Sequence, residues 1–502
     1  MSAVSREAAP PAKPYDLWLI IFLVALLAAR LVANAFARTD LVFNEAQYWS
    51  WSRELDFGYF SKPPLLAWLI RGTTELCGNG EACIRSFPPV LYAIATWFVF
   101  LTGRALYGAR TGFWSAIVFN TLPVIAFLAA AVTTDAPLLF FWSIALYLWT
   151  MLIERKSMAW AVLLGFTVGA GLLAKYAMIY FPLCMACQAM FSVEARESLS
   201  ARRILVVVLI ALVLIAPNLY WNYTHGFVTF HNTANSAAWD RQVTHRGYFV
   251  KFLLSQFGAY GPVLFFMVLW ITAVSIRGRT DRRVVMLLAF SLPVLILITV
   301  QSLISRTHAS WTATVAPAVS ILVTAWLLER RRPILFWATV ATNTVATVAM
   351  LIGPALPASL FPGKSYPFAR TIGWKDVAAS VRQRLEKNGY RALAVEGRDL
   401  TAELLYYLRD SNVPLFVVTN RSELAHFGMT RSYRAGAPEP VLFVSLRAQS
   451  RAATDQFKSA TFLGSETMPG NGRQGRTLRF YSLSGFAGTT GQAGEPDEDE
   501  TE

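Results

Sequence analysis

The amino-acid sequence predicts a polytopic α-helical membrane protein followed by a small soluble α/β domain. Of the 502 residues, 55% are apolar and only 15% are charged, and the mean hydropathy is +0.42, far from the values of a soluble domain. The apolar residues form runs long enough to cross a bilayer, and segments of ordinary soluble composition begin only near Pro354. These three observations place the chain in the membrane class before any motif is considered.

The net charge of +14 and the isoelectric point of 9.7 do not indicate a nucleic-acid partner. The basic residues form short clusters between apolar runs, at 202–203, 277–283 and 330–332. Such clusters are typical of the positive-inside rule for membrane topology. We therefore expect the lipid bilayer, and no nucleic acid, among the partners of this chain.

Eleven transmembrane spans are predicted from the apolar runs. The first covers residues 17–36, close to the roughly 20 residues that cross a bilayer as a helix. A cleaved signal peptide is the competing interpretation, because Ala35-Phe36-Ala37 resembles a cleavage site, but the run is long for such a peptide. The remaining runs lie at 86–103, 112–130, 137–153, 158–173, 177–192, 204–221, 248–275, 284–303, 312–328 and 334–352.

The distribution of Arg and Lys selects one orientation of these spans. The turns that it makes cytoplasmic are 104–110, 154–156, 193–203, 276–283 and 329–332, and all of them carry basic residues. The opposite face then receives the stretch 37–85, the turns near 135 and 175, the loop 222–247, the turn 304–311 and the C-terminus. We therefore expect every loop with unusual polar side chains on the outer face of the membrane.

The composition predicts four segments along the chain. They are a cytoplasmic tail (1–15), a transmembrane domain (16–353) with its first outer loop at 37–85, a soluble extracytoplasmic α/β domain (354–483) and a disordered acidic tail (484–502). Within the soluble domain, helices are predicted at 376–387 and 401–409, and strands at 392–396, 414–418 and 440–445. This alternation indicates a small α/β unit.

The four cysteines form two pairs of different character. Cys77 and Cys83 lie in a predicted outer loop, where the compartment permits a disulfide without requiring one. Cys184 and Cys187 form a C-x-x-C within an apolar run that has no second ligand pair, so a buried structural role is expected.

Two polar motifs after the first span carry candidate functional residues: Asn44-Glu45-Ala46-Gln47-Tyr48-Trp49 and Tyr59-Phe60-Ser61-Lys62-Pro63-Pro64. Glu45 is either a shielded general base or a helix-start glutamate that follows Asn44 as the N-cap. Lys62 is either a phosphate ligand or an interfacial lysine that extends towards the headgroups. The spacing leaves both alternatives open.

Two further charged residues stand alone at the outer ends of apolar runs. Asp135, in Thr133-Thr134-Asp135-Ala136-Pro137, is costly beside lipid and suggests a function, although an ordinary helix cap is the alternative. Lys175 ends Gly171-Leu172-Leu173-Ala174-Lys175 and is either a functional cation or an interfacial lysine.

Several outer aromatic and histidine residues are candidates for sugar contacts. The histidines 225, 231, 245 and 308 lack the compact spacing and third ligand of a metal site, so contact with an acceptor sugar is the favoured interpretation. Trp49, Trp51, Trp221, Trp239 and Trp311 are suited to stacking on sugars or to an interfacial aromatic belt. The sequence identifies no certain cofactor, and a divalent metal ion stays an open alternative.

In this order the motifs resemble the bacterial family 39 glycosyltransferases, in the superfamily of protein O-mannosyltransferases and aminoarabinose lipid A transferases, which have the GT-C fold. The resemblance also includes Pro217-Asn218, Trp221-Asn222, His225-Gly226-Phe227, Trp311 with Pro317, Ala402-Glu403-Leu404, Tyr406-Tyr407-Leu408, His426-Phe427 and Thr430-Arg431. It covers about residues 16–446.

The resemblance implies transfer of a sugar, with inversion, from a polyprenyl-phosphate donor to a glycan or glycolipid acceptor such as lipopolysaccharide core or lipid A. It implies a multi-pass protein of the bacterial inner membrane whose active site and C-terminal domain are periplasmic. Lys62 is similar to the family's phosphate-binding lysine and Asp135 to its acidic residue in the second outer loop. The expected site consists of Glu45 and Asp135 as catalytic carboxylates, Lys62 and Lys175 at the donor phosphate, and Asn44, Gln47, Tyr48, Tyr59, Asn222, His225, His308 and Trp311 at the substrates.

One position departs from the family pattern. The family usually has Asp-Glu where this chain has Asn44-Glu45, and an amide does not accept the proton of an acceptor hydroxyl. Either Glu45 or Asp135 then takes that role, or the substrate differs, or activity is lost.

Two other functions are consistent with outer charges near the bilayer. One is a transporter or flippase of a lipid-linked sugar, although the sequence shows no inverted repeat. The other is a catalytically silent member that binds the substrates. A separate hypothesis is that the basic residues Arg241, Arg246 and Arg306 meet an acidic sugar or a phosphorylated acceptor.

Overall fold

The computed structural model describes residues 15–237, 246–278, 280–361, 368–418, 426–468 and 475–488. Within them the chain is mainly helical until Ile352, and a mixed α/β arrangement follows. This architecture confirms the predicted class, a polytopic α-helical membrane protein with a small C-terminal α/β unit.

The first half of the chain contains helices α1 (Tyr15–Ala35), α2 (Phe43–Arg53), α3 (Leu65–Cys77), α4 (Glu81–Ile84), α5 (Phe87–Tyr107), α6 (Ala109–Thr121), α7 (Pro123–Ala129), α8 (Asp135–Arg155), α9 (Met158–Ala174), α10 (Tyr180–Phe191), α11 (Val193–Ser198), α12 (Ala201–Thr224) and α13 (Val228–Ala237). The second half contains α14 (Arg246–Tyr260), α15 (Pro262–Arg277), α16 (Arg282–Ala289), α17 (Leu292–Gln301), α18 (Ala316–Glu329), α19 (Pro333–Ile352), α20 (Trp374–Asn388), α21 (Arg398–Tyr407), α22 (His426–Thr430) and α23 (Arg451–Thr454). Short 3-10 helices lie at Tyr176–Ile179, Ala309–Val315, Gly353–Ala355, Ala358–Leu360 and Ala369–Thr371.

In the described part of the chain, seven helical segments are long and apolar enough to cross a membrane. They are Tyr15–Ala35, Glu81–Tyr107, Asp135–Arg155, Ala201–Thr224, Arg282–Gln301, Ala309–Glu329 and Pro333–Ala355. Two bent helix pairs raise the number to nine, and the apolar helices Met158–Ala174 and Tyr176–Phe191 are shorter. Each predicted apolar run thus has a helical counterpart, while the count of eleven spans stays a prediction.

Two runs that the sequence presents as continuous are bent in the structure. Helices α14 and α15 meet at 111°, where Gly261 has a φ of 81° and Pro262 starts the second helix. Helices α6 and α7 meet at 61°, and Pro123 starts the second helix. Proline lacks the N–H of a continuing helix and clashes with the preceding turn, so both breaks follow from the local sequence.

The contacts divide the chain into two compact units. The helical unit comprises residues up to Ala37 together with Leu55–Ala355. The α/β unit comprises Arg38–Glu54 and the residues from Leu356 onward. Helix α2, which follows the first span in sequence, therefore belongs to the same compact unit as the C-terminal residues.

A five-stranded sheet forms the centre of the α/β unit. Its strands are β1 (Ala392–Val395), β2 (Leu415–Val417), β3 (Val441–Ser445), β4 (Phe457–Met468) and β5 (Arg476–Phe486). The order is β2-β1-β3-β5-β4: β1 pairs in parallel with β2 and β3, whereas β5 pairs antiparallel with β3 and β4. Strands β1 and β3 are fully buried, as expected for central strands that are covered on both faces.

The structure extends or leaves open several sequence predictions. The helices and strands predicted between 376 and 445 are present with small shifts of their ends, but the long β4–β5 hairpin was not predicted. Strand β5 continues to Phe486, and most of the predicted acidic tail lies outside the described residues. Cys77 and Cys83 are joined in a disulfide, and Cys184 and Cys187 are free thiols, the first of them buried.

Candidate active site

The predicted site residues belong to both units. The helical unit contains Tyr59, Lys62, Asp135, Lys175, Asn222, His225, His308 and Trp311, and the α/β unit contains Asn44, Glu45, Gln47 and Tyr48. Three of the outer residues named in the sequence, Trp239, Arg241 and His245, lie outside the described residues.

Asp135 and Lys175 form an ion pair in the helical unit. Asp135 is the first residue of α8, Lys175 directly follows α9, and the Lys175 Nζ donates to the Asp135 Oδ1 at 2.8 Å. The side chains of Lys175 and Asp135 are only 22% and 11% exposed, whereas those of the surface pair Arg71–Glu75 are 40% and 58% exposed. Shielding from water strengthens such a pair. The structure thus joins two charged residues that the sequence singled out separately.

The backbone around Lys62 is fixed by hydrogen bonds within the helical unit. The Tyr59 N–H donates to the Lys62 carbonyl at 3.1 Å, and the Asp56 N–H donates to the Tyr59 hydroxyl at 3.1 Å. The hydroxyl of Thr229, which is buried, donates to the Tyr59 carbonyl at 2.7 Å. Tyr59 therefore acts as a central support of the loop, and Lys62 itself is half-buried.

Helix α12 holds the beginning of this loop. The Asn218 Nδ2 donates to the Phe57 carbonyl at 2.7 Å, and the Trp221 Nε1 donates to the Asp56 Oδ2 at 2.6 Å. A Cβ added to Gly58 would stand 2.4 Å from the Trp221 ring, so only glycine allows this close approach. The loop with Lys62 and the end of α12 therefore form one fixed assembly.

Asn222 takes part in a buried polar network. Its Nδ2 donates to the Tyr176 hydroxyl at 3.2 Å, and this hydroxyl donates to the Asn218 Oδ1 at 2.7 Å. The Asn222 side chain is completely buried, and its Oδ1 has no hydrogen-bond partner among the described residues. Its visible role is to support Tyr176, and its contact with substrate stays a prediction.

The candidate histidines and Trp311 lie in two places in the helical unit. The exposed His225 ring stacks on Trp221 with centroids 4.1 Å apart and an interplanar angle of 11°. The centroids of His308 and Trp311 are 6.0 Å apart. Partial burial, followed by the positive charges of Arg306 and Lys175, lowers the pKa of His308 below its ordinary value. His308 is therefore a neutral neighbour of Lys175 at neutral pH.

In the α/β unit, Glu45 occupies the first turn of α2. Its Oε2 accepts from the backbone N–H of Val42 at 3.0 Å, and its side chain is 2% exposed. Val42, rather than Asn44, is the N-cap residue, so the interpretation of Asn44 as the cap is wrong. The Asn44 side chain is directed to another partner.

That partner is Arg398, the first residue of α21. The Arg398 Nη2 donates to the Asn44 Oδ1 at 2.7 Å, and the Arg398 Nε donates to the Gln47 Oε1. The guanidinium carbon also lies 5.1 Å from the centroid of the Phe43 ring, in cation–π geometry. Gln47 and Tyr48 are buried, at 1% and 6% exposed. One arginine thus binds two neighbouring amides of the polar motif.

Helix α21 also brings a buried carboxyl group to α2. Glu403 is completely buried, and neither of its carboxyl oxygens has a hydrogen-bond partner among the described residues. Burial, with additional effects of Glu45 and Asp40, raises the pKa of Glu403 well above its ordinary range, and Arg476 only partly opposes this. The folded environment therefore favours the protonated form of Glu403.

A large apolar cavity of about 870 Å³ lies in the helical unit. Helices α10, α15, α16 and α17 line it, and Thr272, Ser275 and Gln301 are among its polar residues. Its lining residues run from Val285 to Gln301 along the candidate span Arg282–Gln301, so the cavity follows most of the length of this span. Its shape and lining suit a long apolar chain.

Within the part of the chain that the structure describes, no group of three or more His, Cys, Asp or Glu side chains is placed to hold a metal ion. Whether the protein binds a metal ion stays open, as it was from the sequence.

Sequence reasoning missed the contributions of α21 and of Tyr176. Arg398 and Glu403 are far from α2 along the chain, and a charged residue at the start of a soluble helix gives no signal of its own. The Ala402-Glu403-Leu404 motif offered the one available indication. Tyr176 directly follows Lys175 at the end of an apolar run, and this position could have identified it as a candidate.

Comparison with known protein families and relatives gives consistent matches. Residues 61–221 match the family model described as dolichyl-phosphate-mannose-protein mannosyltransferase. The lipid A galacturonosyltransferase RgtD of Rhizobium johnstonii is 33% identical over 389 residues, which cover 77% of this chain and 82% of that protein. The lipopolysaccharide core galacturonosyltransferase RgtA of the same organism is 28% identical over 202 residues, which cover 39% of this chain and 40% of that protein.

Solved structures with the same overall fold are more distant in sequence. ArnT from Cupriavidus metallidurans bound to undecaprenyl phosphate superposes with a TM-score of 0.64 at 17% identity, covering 92% of this chain and 98% of ArnT. The oligosaccharyltransferase of Archaeoglobus fulgidus gives a TM-score of 0.53 at 13% identity, covering 79% of this chain and 63% of that structure. At these identities the similarity is one of fold.

Proposed function

Because this chain belongs to the family 39 glycosyltransferases of the GT-C fold, we propose that it transfers a uronic acid from a polyprenyl-phosphate donor to a cell-envelope glycolipid of the lipid A or lipopolysaccharide core type. The observation that carries the proposal is the 33% identity to a lipid A galacturonosyltransferase over 82% of that relative. The second relative is named for transfer of the same sugar to lipopolysaccharide core.

The helical unit offers features that a lipid-linked donor requires. The apolar cavity of about 870 Å³ is suited to a polyprenyl chain, which is purely hydrocarbon. Lys62, on a backbone held by Tyr59, is proposed to bind the donor phosphate together with Lys175. Asp135 is proposed to hold the Lys175 ammonium in position through their 2.8 Å contact.

The reaction is proposed as a single displacement with inversion. The acceptor hydroxyl oxygen forms a bond to the anomeric carbon while the bond from this carbon to the phosphate oxygen breaks. Polyprenyl phosphate leaves with that electron pair, and the hydroxyl proton passes to a carboxylate of the enzyme. Glu45 is the first candidate for this carboxylate, since the charge of Asp135 is already paired with Lys175; Asp135 is the alternative.

The proposed location is the bacterial inner membrane, with transfer on the periplasmic side. Two observations support this orientation. The basic turns select a cytoplasmic face opposite to Lys62. The Cys77–Cys83 disulfide joins the last residue of α3 to α4, and α3 starts just after Lys62. Disulfides persist in oxidising compartments such as the periplasm.

The test uses the full-length protein in lipid vesicles with labelled polyprenyl-phosphate galacturonate and lipid A or lipopolysaccharide core. We expect labelled acceptor with the wild type and at least about a hundredfold slower transfer with Glu45→Gln, the loss expected when a general base is removed. Lys62→Met is expected to weaken donor binding. Glu75→Gln, which removes an exposed carboxylate of the surface pair with Arg71, is the matched control and should transfer normally.

The pH profile separates the two candidate bases. If Glu45 accepts the proton, Glu45→Gln abolishes the acidic limb of the rate profile and Asp135→Asn keeps it; the reverse result would assign the base to Asp135. Donor that crosses the vesicle membrane without reaching the acceptor would support a flippase instead. Failure of every sugar donor to react would contradict the proposed function.

A further inference from the structure

Arg398 is an arginine held in place by neutral groups. Its Nε and Nη2 donate to the side-chain carbonyl oxygens of Gln47 and Asn44, and its guanidinium lies over the ring of Phe43. An amide oxygen orients a guanidinium as a carboxylate does, but it adds no negative charge. The site is therefore well ordered and keeps its full positive charge.

Three other cations of the α/β unit are paired with carboxylates. Arg431 pairs with Glu54 at 2.8 Å, Arg384 with Glu466 at 2.8 Å, and Lys375 with Asp40 at 3.2 Å. Arg398 forms no ion pair with any carboxylate among the described residues. The neighbouring Asp399 and the Tyr48 hydroxyl act on it only through longer-range electrostatics.

The Arg398 side chain is accessible and also partly dehydrated. It is exposed at the protein surface, while Gln47 beneath it is 1% exposed. The surrounding protein lowers the pKa of Arg398 below its ordinary value by desolvation, although an arginine stays protonated throughout the physiological range. A guanidinium that is partly shielded from water but still accessible on one side forms strong charge-assisted hydrogen bonds to an incoming anion.

We propose that Arg398 binds the carboxylate of the transferred sugar, and that Asn44 provides the neutral support that keeps Arg398 available for it. This inference rests on the proposed function, and it assigns the selection of an acidic sugar to a residue of the α/β unit. The planar guanidinium presents two parallel N–H groups, which match the two oxygens of a uronic acid. A carboxylate at position 44 would neutralise this charge.

A phosphate group accepts charge-assisted hydrogen bonds from arginine as a carboxylate does. The donor phosphate or a phosphorylated acceptor is therefore the competing ligand. Sugar-free polyprenyl phosphate separates these sources, because it contains the phosphate but lacks the carboxylate. Galacturonate and galactose donors on the same lipid then isolate the effect of the carboxylate alone.

The experiment measures the affinity of the full-length protein for three lipids: polyprenyl-phosphate galacturonate, polyprenyl-phosphate galactose and polyprenyl phosphate. We expect Arg398→Gln to weaken binding of the galacturonate donor by about tenfold to a hundredfold, the range for loss of a hydrogen bond to a charged group. Binding of the galactose donor and of polyprenyl phosphate should stay within about twofold of wild type. Arg398→Lys keeps the charge without the fork and should fall between wild type and Arg398→Gln.

Asn44→Asp provides a second and independent test. The new carboxylate should pair with Arg398 and weaken binding of the galacturonate donor selectively, and adding Arg398→Gln to this variant should then have little further effect. The matched control is Arg409→Gln near the other end of α21. The Arg409 side chain donates to the Tyr406 carbonyl at 2.9 Å and lies 4.6 Å from the centroid of the Tyr406 ring, and its loss should leave all three affinities unchanged.

Four results would overturn the proposal. If Arg398→Gln weakens the affinity for all three lipids equally and lowers the melting temperature, Arg398 has a structural role. If the affinities fall equally and the melting temperature is unchanged, Arg398 binds the donor phosphate instead. Unchanged binding of the galacturonate donor would exclude a role in recognition. A wild type that prefers the galactose donor would contradict this inference while leaving the glycosyltransferase function intact, whereas absence of transfer from every donor would contradict the function itself.

Discussion

The Lys175 Nζ lies 2.8 Å from the Asp135 Oδ1, and this ion pair connects the end of α9 to the start of α8. Each residue is a lone charge beside a long apolar helix, where an unpaired charge is costly. The pairing offsets much of that cost for both residues. It also fixes the position of the Lys175 ammonium.

Breaking this pair should reduce transfer more than it reduces stability. Asp135→Asn leaves Lys175 without its carboxylate partner, so we expect a fall in kcat/KM of about tenfold to a hundredfold, the size of a lost hydrogen bond to a charged group. Lys175→Met should have a similar effect, and the double variant should lose less than the sum of the two. Strictly additive losses in this cycle would contradict a functional coupling of the two residues.

The contact between Gly58 and Trp221 should not tolerate a methyl group. In Gly58→Ala the new Cβ would lie 2.4 Å from the indole ring and 3.0 Å from the Asn218 Nδ2, so the loop that carries Lys62 must move. We expect a loss of stability of about 1–3 kcal/mol and a higher KM for the donor. Gly72→Ala in α3 is the control, since its Cβ would meet nothing within 4 Å and helical alanine is favoured. A normal KM in Gly58→Ala would show that the loop position is unimportant.

The Cys77–Cys83 disulfide should contribute stability but no chemistry. It closes a short loop with a sequence separation of 6 residues, for which the chain-entropy relation gives about 2 kcal/mol. The variant in which both cysteines are replaced by serine should therefore melt at a lower temperature and still transfer sugar at the normal rate. Cys184→Ser and Cys187→Ser are controls that should not change the sensitivity of the melting temperature to reductant. Loss of transfer at a temperature where the variant is fully folded would contradict a purely structural bond.

Glu403 should make the α/β unit less stable as the pH rises. Burial holds the pKa of Glu403 well above its ordinary value in the folded state, whereas in the unfolded chain this group ionises near the ordinary glutamate pKa of about 4.3. Its contribution to stability is therefore complete below that pH and is lost progressively as the pH rises towards the higher pKa of the folded state. Glutamine does not ionise, so Glu403→Gln should remove this dependence.

Hydrogen exchange of α21 in the full-length protein measures the effect. Between about pH 5 and pH 8, after correction for the intrinsic exchange rate, protection in the wild type should fall relative to Glu403→Gln. Glu386→Gln, at an exposed position of α20, should behave as the wild type does. Identical pH dependence in wild type and Glu403→Gln would show that Glu403 is ionised in the folded state.

The helical unit was largely predictable because helices that span a bilayer are visible in the sequence as long apolar runs. The two breaks at Pro123 and Pro262 were not predicted, although proline interrupts the hydrogen-bond pattern of a helix. The β4–β5 hairpin was missed because β4 exposes most of its residues and shows no regular apolar alternation.

The candidate site was predictable only where its residues share a motif. Lys62 and Glu45 stand in polar motifs, and the structure adds which groups support them. The Asn44–Arg398 contact spans 354 residues of sequence, and nothing near Arg398 in the chain indicates an amide partner. Pairings of this kind depend on the packing of distant helices, which local patterns do not encode.

The most direct test of the proposed function is the mass of the acceptor after incubation of the purified protein with polyprenyl-phosphate galacturonate and lipid A in vesicles. We expect lipid A to gain the mass of one galacturonosyl residue with the wild type, and to gain little or none with Glu45→Gln. Unchanged lipid A and lipopolysaccharide core with every donor offered to the folded wild-type protein would contradict the account.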